Sequence, residues 1–154
     1  NYRCGLGGVD LNRQWGEPLA WLAPENFHIK KLLKELGSDG GVSLDFVLDL
    51  HAHSTALSAF CFVNMLEHDL QRMQRELLFL RLLDSNCKMF SFSSSRVCCD
   101  PTKHGTGRRA LPEVVEAHTH CYTLEVSFFG FQTVGSRPTP FTQQSFIEVG
   151  KLTG

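Results

Sequence analysis

Two histidines with one residue between them, His51 and His53, close an apolar run, and a chain extended through them turns both imidazoles to one side. Neutral imidazole nitrogens at that spacing can share a metal ion; the plainer alternative is a polar pair at a loop mouth, one ring bonded to backbone. Glu125 stands inside Tyr122-Thr123-Leu124-Glu125-Val126-Ser127-Phe128, a strand-like and largely apolar stretch. A carboxylate there either faces solvent from an edge or is partly buried, and partial burial raises its pKa toward that of a general base. Asp10-Leu11-Asn12-Arg13 sets a planar guanidinium beside an amide after a glycine-rich turn, a pair able to grip a carboxylate through parallel hydrogen bonds. Lys103, Arg108 and Arg109 gather fixed positive charge on a loop with two hinge-like glycines, Gly105 and Gly107, readable as a solvated loop or as an anion pocket. Gly105-x-Gly107-x-x-Ala110 also fits a dinucleotide fingerprint, but no apolar strand precedes it, and the match is rejected.

The six cysteines are irregularly spaced and contain no Cys-x-x-Cys pair. A zinc cluster drawn from Cys98, Cys99, His118, His120 and Cys121 is disfavoured, since adjacent cysteines rarely bind one ion tetrahedrally. They read as reduced thiols of a cytosolic protein. Fifteen Lys+Arg against sixteen Asp+Glu in 154 residues exclude the basic excess of a generic nucleic-acid binder. No apolar run is long enough to span a membrane, and the polar opening is not a signal peptide. The absence of an initiator Met suggests that these residues continue from something upstream.

The elements that must carry these groups follow from periodicity. Phe27, Ile29, Leu32, Leu33 and Leu36 recur at helical spacing, with Pro24 and Glu25 suited to a first turn and Gly37 to an end. Leu44 to Leu50 predicts a buried strand ending at His51. A second helix is expected from Met65 to about Leu83, with Leu66, Leu70, Met73, Leu77 and Leu80 on its core face and Glu67, Gln71, Arg72, Arg75 and Glu76 in solvent. Loops are expected over Ser91–Cys99 and Pro101–Arg109, a short helix over Leu111–Ala117, a strand over Tyr122–Phe129, and a terminal helix within Phe141–Leu152. Helices alternating with strands make this an α/β fold, a mixed sheet flanked by helices.

Five ordered blocks extend the reading: Asn1-Tyr2-Arg3-Cys4, Asp10-Leu11-Asn12-Arg13-Gln14-Trp15, Asp49-Leu50-His51-Ala52-His53-Ser54-Thr55, Gly105-Thr106-Gly107-Arg108-Arg109 and Cys121 to Phe128. In this order they resemble the zinc metallocarboxypeptidases, and more closely the cytosolic carboxypeptidases that shorten polyglutamate chains on tubulin. The resemblance implies a zinc-carboxypeptidase-like fold present as a partial domain, residues 1–154 being the C-terminal part of the catalytic domain. It implies that His51 is a zinc ligand and that Glu125 is the base acting on a zinc-bound water. Arg3 would steady the oxyanion, and Asn12 and Arg13 would clamp the substrate's terminal carboxylate. Arg108, with Lys103 nearby in sequence, would receive an acidic side chain, and His53 would orient other groups rather than bind metal. The implied partners are polyglutamylated tubulin or other acidic tails, in the cytosol.

Two departures qualify the resemblance. The family's His-x-x-Glu motif, source of its first two zinc ligands, is missing: none of the seven histidines has Glu three residues on. A fragment whose remaining ligands precede Asn1 is the expectation, inactive alone; a truncated form that binds acidic tails without hydrolysis is the alternative. Phe60-Cys61-Phe62-Val63-Asn64 also replaces a Tyr-Gly-Asn-like ending in relatives, and the Ser91–Pro101 loop differs from theirs.

Overall fold

A computed structural model describes residues 3–38, 41–64, 69–98 and 100–153. Asn1 and Tyr2 of the first block, Met65 to His68 of the expected second helix, and Cys99 lie outside the described residues. The chain divides into two compact units, Asn1–Asp49 with Cys99–Tyr122, and Leu50–Cys98 with Thr123–Gly154.

The first unit opens on a tight reversal in which Cys4 bridges Asp10 and Gly5 N–H donates to Val9 O at 3.1 Å. Gly8 sits there at φ +73°, a left-handed conformation open to glycine without a Cβ penalty. Asp10 then caps a single 3-10 turn, Leu11–Arg13, by accepting from Asn12 N–H at 3.0 Å. Helix α1 spans Pro24–Ser38, close to its expected bounds. Strand β1 spans Phe46–His53 and β4 spans His120–Ser127. At their starts His120 N–H donates to Asp45 O at 2.8 Å, and buried Thr119 sends its hydroxyl to Leu44 O at 2.6 Å. Gly107–Ala110 forms one helical turn, α3, within the segment expected as loop.

The four-stranded sheet runs in the order β1-β4-β2-β3, with β2 over Ala59–Asn64 and β3 over Arg96–Cys98 in the second unit. β2 lies antiparallel to β4 and parallel to β3, which makes the sheet mixed as expected. Neither β2 nor β3 is expected from the sequence. Ala59, Cys61 and Val63 of β2 are fully buried, as befits an inner strand. Helix α2 spans Leu70–Asn86, capped by Asp69, which accepts from Arg72 N–H at 2.8 Å.

The buried face of α2 corrects the expected stripe. Glu76, Leu80 and Leu83 are buried, whereas Leu70 in the first turn is 74% exposed. Glu76 was expected in solvent; its carboxylate is 3.6 Å from the Arg72 guanidinium one turn earlier, which offsets the cost of burying the charge. Leu80 and Leu83 each contribute about 1.5–3 kcal/mol through burial. A short ladder of β5 (Gly130–Phe131) with β6 (Thr139–Pro140) and the helix α4 (Gln143–Thr153) complete the unit.

Cys4, Cys61, Cys87, Cys98 and Cys121 are free thiols. Burial pushes the Cys61 thiol up from 9.0 to about 12. Above pH 9 the unfolded chain gives up this proton while the folded chain keeps it, so stability is lost as pH rises. The slope is at most about 1.4 kcal/mol per pH unit. Urea unfolding at pH 8 and pH 10 is expected to show this alkaline loss in the parent and a smaller one in Cys61→Ala; equal losses would remove Cys61 as the cause.

Candidate functional site

The sequence-predicted residues fall into two sets, one within each unit. In the first unit the 3-10 turn carries Asn12 and Arg13, and its position is fixed by the Gly105–Gly107 segment. Asn12 Oδ1 accepts from Gly107 N–H at 3.0 Å, and Trp15 N–H donates to Gly105 O at 3.0 Å. A Cβ on Gly105 would come within 2.5 Å of Arg13 O, and one on Gly107 within 3.3 Å of Trp15 Nε1 and 3.4 Å of Asp49 Oδ2. The sequence suggests hinges; instead Gly105 passes backbone too closely for a side chain, and at Gly107 a Cβ would fit only if the indole gave way by a few tenths of an ångström.

Arg13 is exposed, and its Nη1 donates to Asn12 O at 2.7 Å. Lys103 is exposed too, whereas Arg108, on α3, is only 4% exposed. A solvated loop thus describes Lys103 but not Arg108. Asp100 adds a carboxylate whose pKa is held down by hydrogen bonds from the Thr102 hydroxyl and amide, with Lys103 and Arg109 as further causes. Arg3 is bound to Asp10, Nε and Nη2 both lying 2.8 Å from Oδ2. An oxyanion role for Arg3 would require it to leave that carboxylate.

In the second unit His51 and His53 share one face of β1, as expected for alternate residues of a strand. Glu125 belongs to β4, which lies between β1 and β2 rather than at an edge, and its side chain is only 14% exposed. His53 Nδ1 lies 3.4 Å from Glu125 Oε2. The other ring nitrogen is 3.0 Å from Thr55 Oγ1, and the ring meets Phe60 edge-on with centroids 5.0 Å apart. In the tautomer where the Thr55 hydroxyl donates to Nε2, Nδ1–H faces the carboxylate, an arrangement able to orient Glu125. Phe60 is the register partner of Glu125 across β2 and β4, which brings ring and carboxylate together.

Among the described residues the donors for zinc are too few. Among the described residues no group of three or more His, Cys, Asp or Glu side chains could hold a metal ion. A stable catalytic zinc takes three protein ligands, so the residues present do not by themselves fit the metal. Of the disfavoured set Cys98, Cys99, His118, His120 and Cys121, Cys99 lies outside the described residues, and His118 Nε2 lies 2.8 Å from Ser43 Oγ. Also among the described residues, no helix is long and apolar enough to cross a membrane.

Several positioning residues are not singled out by sequence reasoning. Trp15 and Asp49 stand against Gly107, and Thr55 holds His53. Their only signal is a place inside the quoted blocks, Trp15 at the end of one and Asp49 and Thr55 at the two ends of another, with no role attached.

No protein-family model matches the chain. It is 40% identical over 152 residues to human Cytosolic carboxypeptidase 6, covering 98% of this chain and 30% of that protein. The mouse Cytosolic carboxypeptidase 6 gives the same identity at 28% of its length, and mouse Cytosolic carboxypeptidase 2 is 34% identical over 155 residues, at 17% of its length. The chain thus spans less than a third of these relatives. Among solved structures it matches a metallo-carboxypeptidase from Burkholderia cenocepacia with a TM-score of 0.79 at 16% identity, covering 99% of this chain and 38% of that one. It also matches a Pseudomonas aeruginosa metallo-carboxypeptidase in complex with (2-guanidinoethylmercapto)succinic acid, with a TM-score of 0.78 at 21% identity and 99% and 40% coverage. The mixed sheet flanked by helices is accordingly a carboxypeptidase-like fold, corresponding to part of those solved chains.

Proposed function

Taking the carboxypeptidase-like fold as premise, we propose that this chain binds acidic peptide tails and does not assemble a hydrolytic metal centre from its own residues. One observation carries this reading: the Asn12-Arg13 turn is tied to the Gly105–Arg108 segment by Asn12 Oδ1, so an exposed guanidinium is presented on a braced turn while the described donors fall short of a zinc site. Arg13 would grip the terminal carboxylate of a tail through two parallel hydrogen bonds, and Asn12 would add its amide. Lys103 and the Arg108 region would supply the charge that favours glutamate side chains. Glutamate-rich tails such as those of polyglutamylated tubulin are the ligand class, and the cytosol is the compartment.

Arg13→Ala is expected to weaken binding of a hexaglutamate peptide by about tenfold or more, because a charge-assisted hydrogen bond contributes about 1.5–3 kcal/mol. Titration calorimetry at fixed ionic strength measures it. Equal affinity for parent and variant would refute the clamp, and equal parent affinity for hexaglutamate and a hexamer of serine would refute the acidic ligand class.

The 40% identity to Cytosolic carboxypeptidase 6 favours a second reading for a longer polypeptide. There this chain would be the C-terminal part of a zinc metallocarboxypeptidase catalytic domain, removing glutamates from tail ends. His51 would contribute one zinc ligand beside others from outside this chain, Glu125 would take up a proton at its carboxylate, and Arg3 would turn from Asp10 toward the oxyanion. Glutamate release from a polyglutamylated peptide separates the readings: release by this chain alone with added zinc refutes the first, and no release by the longer protein refutes the second.

A further inference from the structure

We propose that Asn26 and Lys30 of α1 are positioning residues for the Arg13 clamp; this rests on the binding reading above. They stand four residues apart and share one face of the helix. Asn26, 1% exposed, donates from Nδ2 to Leu11 O at 2.9 Å. Lys30 donates from Nζ to Trp15 O at 2.9 Å and also to Gly16 O. One helix face therefore takes up three carbonyls that bracket Arg13 along the chain. The Gly105–Gly107 segment supplies the other ties, to Asn12 Oδ1 and to Trp15 N–H. A turn held on both sides of Arg13 has already given up the freedom that gripping a carboxylate would otherwise cost.

Burial is the first cause lowering the Lys30 pKa and Lys34 the second, with Glu113 and Glu17 acting the other way. An ammonium drawn partly out of water onto carbonyls suits an anchor better than a surface charge waiting for an anion. If Lys30 instead attracted the tail directly, its removal and that of Arg13 would give independent losses.

A double-mutant cycle on the full chain, read as hexaglutamate affinity, distinguishes these roles. Lys30→Met is expected to weaken binding about tenfold, and Lys30→Arg, whose guanidinium can still bridge two carbonyls, about twofold or less. The double variant Arg13→Ala with Lys30→Met should bind no more weakly than Arg13→Ala alone. Additive losses, or a Lys30→Arg variant as weak as Lys30→Met, would overturn the proposal. Amide hydrogen exchange at Trp15, whose N–H is bonded to Gly105, tests it without a ligand. Exchange should quicken about tenfold or more in Lys30→Met and in Asn26→Ala, and unchanged exchange in both would overturn it. If Lys30→Met does not fold, Lys30→Gln replaces it, with a shorter, uncharged amide donor kept and an intermediate exchange rate expected; a parental rate there would count against the anchor. Should the parent fail to bind hexaglutamate, the binding reading falls, and the exchange rates still decide whether α1 positions the turn.

Discussion

Glu125→Gln, made in a polypeptide that releases glutamate from peptide tails, is expected to lower turnover by about 10²–10⁴-fold while tail affinity stays at the parental level. The magnitude is that of a general base withdrawn from its reaction, about 3–5 kcal/mol in barrier height. Glutamine keeps the shape of the side chain and its place on β4 beside His53, so the change removes the ability to take a proton and little else. His53 gives the carboxylate a fixed direction: its Nδ1 lies 3.4 Å from Oε2, and Thr55 and Phe60 hold the ring. Glu76 is the control, a carboxylate withdrawn further from water but paired with Arg72 on α2. Its replacement by Gln should cost stability and leave turnover per folded molecule unchanged. The comparison is read as kcat for glutamate release against the dissociation constant of an uncleaved tail. Retained turnover in Glu125→Gln would remove Glu125 as the base, and a loss confined to affinity would move it into tail binding.

What the sequence made visible was governed by locality. Helix α1 is read almost to its ends because its signals are contiguous: Pro24 at the start, apolar residues at helical steps, Gly37 near the stop. The alternation of His51 and His53 onto one face needs only that β1 be a strand. Strand β2 is missed because Ala59-Phe60-Cys61-Phe62-Val63-Asn64 has no polar alternation; it is buried on both faces, and an apolar run of five has no period to report. Strand β3 is three residues long and takes its identity from pairing beside β2, which no local pattern announces. Glu76 is misplaced for a related reason. A helical wheel shows which residues share a face, but whether the edge of that face is covered depends on what packs there, and Arg72 makes the burial affordable. Of the site, residue types and motif order are legible. The roles of Trp15, Lys30 and Asn26 are not, since they act through backbone carbonyls and a close approach to glycine.

Gly105 is where that hidden geometry should be most sensitive. Gly105→Val is expected to destabilise the folded chain by about 3 kcal/mol, the sum of overpacking and a lost backbone hydrogen bond. Hexaglutamate binding should fall at least as far as in Arg13→Ala. A Cβ at residue 105 would lie 2.5 Å from Arg13 O, 3.0 Å from its carbonyl carbon and 3.3 Å from its Cα. All three are backbone atoms, and no rotamer change can move them aside. Relief requires either residue 105 to retreat, which breaks the Trp15 N–H bond to Gly105 O, or the Arg13 turn to shift, which strains Asn12 Oδ1 on Gly107 N–H. Either movement displaces the guanidinium. Gly8→Ala separates this from a general intolerance of side chains at glycine: Gly8 has φ +73° with no atom within 4 Å of a Cβ, so it should lose about 1–2 kcal/mol to backbone strain and retain tail affinity. Urea unfolding and peptide titration on both variants read the two effects. A Gly105→Val chain with parental affinity would mean that Arg13 is not held by this contact, and the braced turn would lose its claim to present the clamp.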